Sequence, residues 1–184
     1  MSHIDGNVGQ QFLAAAAQTF RSQKRSAEKA IVQLPDDKLH VALDPNTNSV
    51  AVIIRHMAGN LRSRFADFLT TDGEKPDRNR DGEFALDPNT PREQIMEDWE
   101  SGWRVLFDTL ASLTPEHLTR TVMIRHEPYG VIDALLRAVA HQGYHVGQIT
   151  QLARYLAKDQ WTTITIPRGE SRSFNAAMQE KHGQ

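Results

Sequence analysis

The sequence predicts an all-α protein: a four-helix bundle with a C-terminal extended tail, in a single domain spanning residues 1–184. Three observations carry this reading. Apolar residues recur at alternating steps of three and four along four long blocks, which is the period of a helix that buries one face. Pro, Gly and Asp-rich joints separate the blocks and stop each helix. The chain carries no internal repeat or low-complexity tract, and its length suits one core.

The first helix is expected from Val8 to Leu34, with Phe12, Ala16, Phe20, Ala27 and Ile31 in phase, and it stops at Pro35. The loop HVALDPNTN then leads to Ser49, a residue suited to cap the second helix. That helix, VAVIIRHMAGNLRSRFADFL, sets Val50, Ile53, Ile54, Met57, Leu61, Phe65 and Phe68 on one face. TTDGEKPDRNRDGEF reads as a loop, with Arg78, Arg80, Asp81 and Glu83 forming a solvated charge cluster and Asp-Gly and Lys-Pro making turns. In the third helix Thr90 is the expected cap, Pro91 begins the first turn and Glu93 closes a capping box. Its stripe runs Ile95, Met96, Trp99, Trp103, Leu106, Leu110, Leu113, a bundle spacing that makes both tryptophans core residues. TRTVMIRHEPYG is a short extended excursion, and the fourth helix covers Val131 to Ala157. The tail, which packs on the bundle, is extended through Pro167 and ends in one short helix.

Composition narrows the function. A formal net charge of −2 offers no basic surplus for nucleic acid. The absence of cysteine excludes disulfides, thiolate metal sites and a cysteine nucleophile, and fits a reducing compartment. No apolar run approaches the ~18 residues of a membrane span. The opening MSHIDGNVGQQF lacks the basic and apolar regions of a secretion signal, so the expected location is cytoplasmic.

The informative stretch is HQGYHVGQI, residues 141–149, inside the fourth helix. At about 100° per residue, His145 lies near 40° from His141. Ala134 and Leu152 fall near 20°, Ala138 and Leu156 near 60°, and Val131 and Ile149 near 80°. Both imidazoles therefore project from the apolar face. Two neutral imidazoles there can donate to one divalent cation. They can equally be core histidines bonded to backbone or side chains, and the spacing leaves both readings open. A tight site wants a third ligand. His3 and His182 sit near the chain ends, His40 and His117 near helix boundaries, and His126 in the extended excursion. Only His56 lies inside another helix, and its position, about 120° from the centre of the apolar face, reads as a partly exposed flank.

RHMAGNLRSRF followed much later by HQGYHVGQI resembles the DinB-like superfamily, and more closely one of its uncharacterised branches. The loop TDGEKPDRNRDGEF and the tail motif TIPRGESRSFN add to the similarity, which runs from the second helix to the tail. The resemblance implies an up-up-down-down four-helix bundle. It also implies that His56, His141 and His145 hold a divalent metal, commonly nickel or zinc. Some members of the superfamily resemble thiol-dependent transferases and isomerases. Fold membership alone does not transfer such an activity.

Three neutral histidines leave at least one coordination position open, the layout of a catalytic metal site. One hypothesis is a metal-dependent enzyme acting on a small-molecule or thiol substrate, by thiol transfer or hydrolysis. The other is a non-catalytic bundle that uses metal or a small ligand for structure or sensing. No general base stands out. Gln142, near 100° on the wheel, is either a ligand-orienting amide or one satisfying backbone. Asn60 is a candidate partner for His56, and Arg64 a candidate anion receptor or a solvated arginine. Gly143 and Gly147, about 160° from the histidines, allow close helix approach within the bundle or across a homodimer, which is the expected assembly.

Overall fold

The computed structural model describes residues 7–183. Asn7 opens the first helix, α1 (Val8–Ile31), its side-chain oxygen accepting from the Gly9 N–H at 2.8 Å. Ser49 caps α2 (Val50–Phe65) in the same way, accepting from the Val52 N–H at 3.3 Å. This helix ends four residues before its expected end at Leu69. Ala66 turns extended and Asp67 takes a φ of 49°, and the Asp67 carbonyl collects the N–H groups of Thr70 and Thr71. Phe68 stays in the core from the turn that follows.

The charged segment is not loop throughout. It contains a short helix, α3 (Arg80–Phe84), started by Asn79, whose side chain accepts from the Gly82 N–H. A helix of five residues has no second turn in which a 3.6-residue period could register. The next helix, α4 (Arg92–Ser112), has Pro91 as its cap residue with no side-chain cap. The expected capping box is absent because Thr90 donates its hydroxyl to the Asp87 carbonyl at 2.7 Å. The extended excursion forms an antiparallel hairpin, β1 (Thr121–Ile124) and β2 (Glu127–Gly130), with Thr121 opposite Gly130 and Ile124 opposite Glu127. Then α5 (Val131–Ala157) runs over the expected range. Trp161 and Ile164 of the tail pack against the core, whereas the closing helix α6 (Ser171–His182) buries no residue.

The four long helices pack most extensively in two pairs, α2 on α4 and α1 on α5, with α2 also touching α5 and α1 touching α4. The α2–α4 approach is backbone-close: a Cβ at Gly102 would lie 2.7 Å from the Ala58 Cα. Phe20, Trp99 and Trp103 are fully buried among them, with ring centroids 6.4 Å (Phe20–Trp103) and 5.3 Å (Trp99–Trp103) apart. Each such side chain contributes roughly 1.5–3 kcal/mol by its burial. Both tryptophans are thus core residues, as their spacing predicts.

The hairpin tip anchors the segment that leads into α3. Arg125 and His126 hold positive φ of 56° and 64°, conformations that non-glycine residues adopt only when something compensates. Asp72 supplies the compensation, accepting from the Arg125 N–H at 2.9 Å and the His126 N–H at 2.7 Å. The Glu74 N–H, with those two, lowers the Asp72 pKa to about 2.

Candidate metal centre

His56 comes from α2, and His141 and His145 come from adjacent turns of α5. The tertiary structure brings one ring nitrogen of each within 4.8 Å of the others. The Nε2 atoms of His56 and His141 are 3.4 Å apart. Ring centroids are separated by 5.4 Å (56–141), 4.9 Å (56–145) and 4.6 Å (141–145).

Burial reverses the order that the helical wheels predict. The expected flank residue His56 is 5% exposed, while His141 and His145 are only half-buried. Twelve of the sixteen residues of α2 are buried, so this helix has little solvent flank. On the His56 side α3 covers it, the Phe84 ring lying 4.9 Å from the imidazole. On α5 the buried face is centred on Leu135, Gln142, Val146, Ile149 and Ala153, and the two histidines stand at its margin.

The far nitrogens of the rings determine which nitrogens are free. The Glu83 carboxylate accepts from His56 Nδ1 at 2.8 Å, and Gln148 Oε1 accepts from His145 Nδ1 at 2.8 Å. A proton held on Nδ1 leaves the Nε2 lone pair available, the arrangement of a metal-ligating histidine. Gln142, fully buried, places its amide 3.4 Å from His141 Nδ1, and its Oε1 has no hydrogen-bond partner. Turning that amide over would bring the unpaired oxygen to the imidazole.

Glu83 and Arg78 belong to the charged segment that sequence reasoning left in solvent, and this is the main correction to the site. Both side chains are nearly inaccessible, at 7% and 5%. Arg78 donates to Glu83 through Nε at 2.8 Å and Nη2 at 3.0 Å, a two-pronged ion pair. Burial pushes the Glu83 pKa up, and the hydrogen bonds from His56 and Arg78 outweigh it, so the carboxylate ionises below its ordinary range. The one trace in the sequence is Gly59, inside α2 one turn after Arg55. A Cβ there would collide with the Glu83 carboxylate.

Burial chiefly, then the neighbouring His145, His56, Arg137 and Arg64, lowers the His141 pKa to about 3. Burial also lowers that of His145, against the bond to Gln148. At neutral pH these two rings are neutral donors. Asn60 is buried but makes no hydrogen bond to the three histidines among the described residues. Arg64 turns away to the Gly73 carbonyl and to Glu74, 2.9 Å away. His40 bonds the Thr90 carbonyl, His117 accepts from the Thr114 N–H, His126 sits in the hairpin turn and His182 is exposed on α6. His3 lies outside the described residues. Gly143 faces α1, where a Cβ would meet Gln23, whereas nothing lies within 4 Å of one at Gly147.

Residues 7–170 match the family described as protein of unknown function (DUF1572). The chain belongs to this family. The DUF1572 match takes in all three histidines together with Arg78, Glu83 and Gln148, and it ends at the threshold of α6. No curated protein and no solved structure matches the chain. No helix among the described residues is long and apolar enough to cross a membrane.

Proposed function

We propose that this DUF1572 member is a DinB-like protein, an up-up-down-down four-helix bundle, that binds a divalent metal, nickel or zinc, through His56, His141 and His145. The observation that carries the reading is the convergence of three imidazoles whose ligand nitrogens lie within 4.8 Å of one another. Two of them have the far nitrogen held by an acceptor. Imidazole-only donor sets suit zinc and nickel and have no affinity advantage for calcium or magnesium. Such an ion supplies Lewis acidity at its open position, where a thiol or another anionic small molecule binds.

The chain's own residues divide the remaining work. Glu83 holds His56 in one tautomer and orientation, and Arg78 keeps that carboxylate ionised and in place. Gln148 does the same for His145 from the half-exposed side. Phe84 and Tyr144, 36% and 65% exposed, flank the cluster where a substrate would arrive. The activity proposed is thiol transfer or hydrolysis on a small molecule. One observation favours the second reading, a non-catalytic ligand-binding bundle. Among the described residues Glu83 is the only carboxylate bonded to the cluster, and His56 and Arg78 already occupy it. The proposal extends to a homodimer, for which Gly147 rather than Gly143 is open to a second chain.

Metal analysis of protein purified without a histidine tag, beside the His141→Ala variant, tests the site. Stoichiometric metal in the wild type and little in the variant is the expected result, and equal negligible content in both sinks the reading. On a cobalt-substituted sample, added small thiols should produce a sulfur-to-metal charge-transfer band. A cobalt spectrum that neither thiols nor small anions perturb would transfer support to the structural module.

A further inference from the structure

Beside Glu83, one face of α2 and residues 75–79 line an open cleft of about 340 Å³. We propose that this cleft binds a small oxyanion, the carboxylate or phosphate group of a small molecule. Arg55, Arg62, Lys75 and Arg78 line it, against two carboxylates, Asp77 and Glu83. Glu83 is already bonded by His56 and Arg78, so within the lining only Asp77 is a carboxylate free of such bonds, while Asp67 and Asp72 act on Lys75, and Asp98 on Arg62, from outside it.

The state of each cation supports the assignment. Arg55 has no hydrogen-bond or ion-pair partner among the described residues. The Lys75 ammonium donates to the Asp72 carbonyl, at 2.6 Å, and burial more than any neighbour lowers its pKa. Arg62 is shared with Asp98 at 3.3 Å outside the cleft. Arg78 is the decisive one. Its Nε and Nη2 hold Glu83, while Nη1 is buried without a hydrogen bond and forms only a longer ion pair with Glu74 Oε1, at 3.5 Å. A guanidinium N–H held only by a 3.5 Å ion pair has hydrogen-bonding capacity left for an oxyanion.

The cleft is also preformed. The Ser63 hydroxyl donates to the Gly73 carbonyl at 2.7 Å and accepts from the Lys75 N–H at 3.2 Å, which holds the segment over α2. Guanidinium groups recognise planar or tetrahedral oxyanions through paired N–H groups, and the volume leaves room for a short substituent on the bound group. None of the three histidines lines the cleft, so the site stands whether or not they hold a metal.

The test is a ¹H–¹⁵N NMR titration of the whole protein with inorganic phosphate and, separately, with succinate, at ionic strength held constant by sodium chloride. Saturable shifts should appear at Arg55, Lys75, Arg78 and Asn79. Arg55→Ala, which breaks no contact, should weaken binding by about tenfold, the weight of one charge-assisted bond. Arg55→Glu should abolish binding, and Asp77→Asn should strengthen it. A response to one anion alone assigns the group. The proposal is overturned if neither anion gives saturable shifts, or if Arg55→Glu, with its spectrum otherwise intact, titrates like the wild type.

Discussion

The two halves of the histidine cluster are held by different physics. On α5, two histidines come from one continuous helix, four residues apart, at the margin of its buried face and half open to solvent. Their spacing is a property of the helix and needs no outside support. On α2, a single buried histidine is braced by Glu83 and Arg78, which arrive from another segment of chain across a glycine. That segment is pinned in turn by Asp72 at the hairpin tip and by Arg64 at Gly73 and Glu74. One half is local and tolerant, and the other is assembled and interdependent. Perturbations of the two should therefore differ in kind as well as size.

The largest contrast is expected between His141→Ala and His56→Ala. Both should abolish metal binding, because two imidazoles seldom make a tight site. Only His56→Ala should also destabilise the apo protein, since it strips a hydrogen bond from a buried, ionised carboxylate. Equal unfolding midpoints for the two apo variants in urea would break the comparison. Next in size is Glu83→Ala, which leaves Arg78 buried with only its 3.5 Å ion pair to Glu74. A loss of roughly 3 kcal/mol is expected from denaturant unfolding, with metal affinity about 10–100-fold weaker. Glu83→Gln keeps an acceptor for Nδ1 and should lose less affinity. Gln148→Ala, on the half-exposed side, should lose less than Glu83→Ala in a competition assay with a chelator.

The pH dependence addresses the α5 half. A histidine whose folded pKa is depressed binds a proton more readily when unfolded, so the apo protein should lose stability as pH falls below about 6.5. For His141 that loss continues down toward its folded value of about 3. His145 acts in the same direction. Unfolding midpoints between pH 6.5 and 4.5 should fall less steeply in His141→Asn, and identical slopes would contradict the burial of that ring. The smallest effects separate the backbones behind the two halves. Gly102→Ala should cost about 1–3 kcal/mol by forcing α4 off α2. Gly147→Ala meets nothing and should be neutral or stabilise by about 0.5 kcal/mol. Both are read from thermal midpoints.

Periodic features were legible in the chain. The range of α5, its i, i+4 histidines, the Ser49 cap and the buried tryptophans all follow from spacing within one helix. His56 was not legible from its wheel position and entered only through family resemblance. Glu83 and Arg78 were misread as solvated because the local pattern around them is that of any charged turn. The Thr90 capping box, expected from the sequence and absent from the structure, shows the same limit on a smaller scale. A hydroxyl with two possible acceptors went to the Asp87 carbonyl, a choice made by how the preceding turn folds.

By itself, the sequence determined whatever depends on residues a few positions apart: a largely helical chain, where most helices start and stop, and two imidazoles on neighbouring turns. The tertiary structure alone decided which polar residues leave water. That choice depends on what a distant segment brings to cover them. His56 is buried because Phe84 and Glu83 cross it, and Glu83 tolerates burial as a carboxylate because Arg78 and His56 donate to it. The desolvation of a buried charge is offset only by partners held in place, and no pattern local to residues 78–83 records who those partners are.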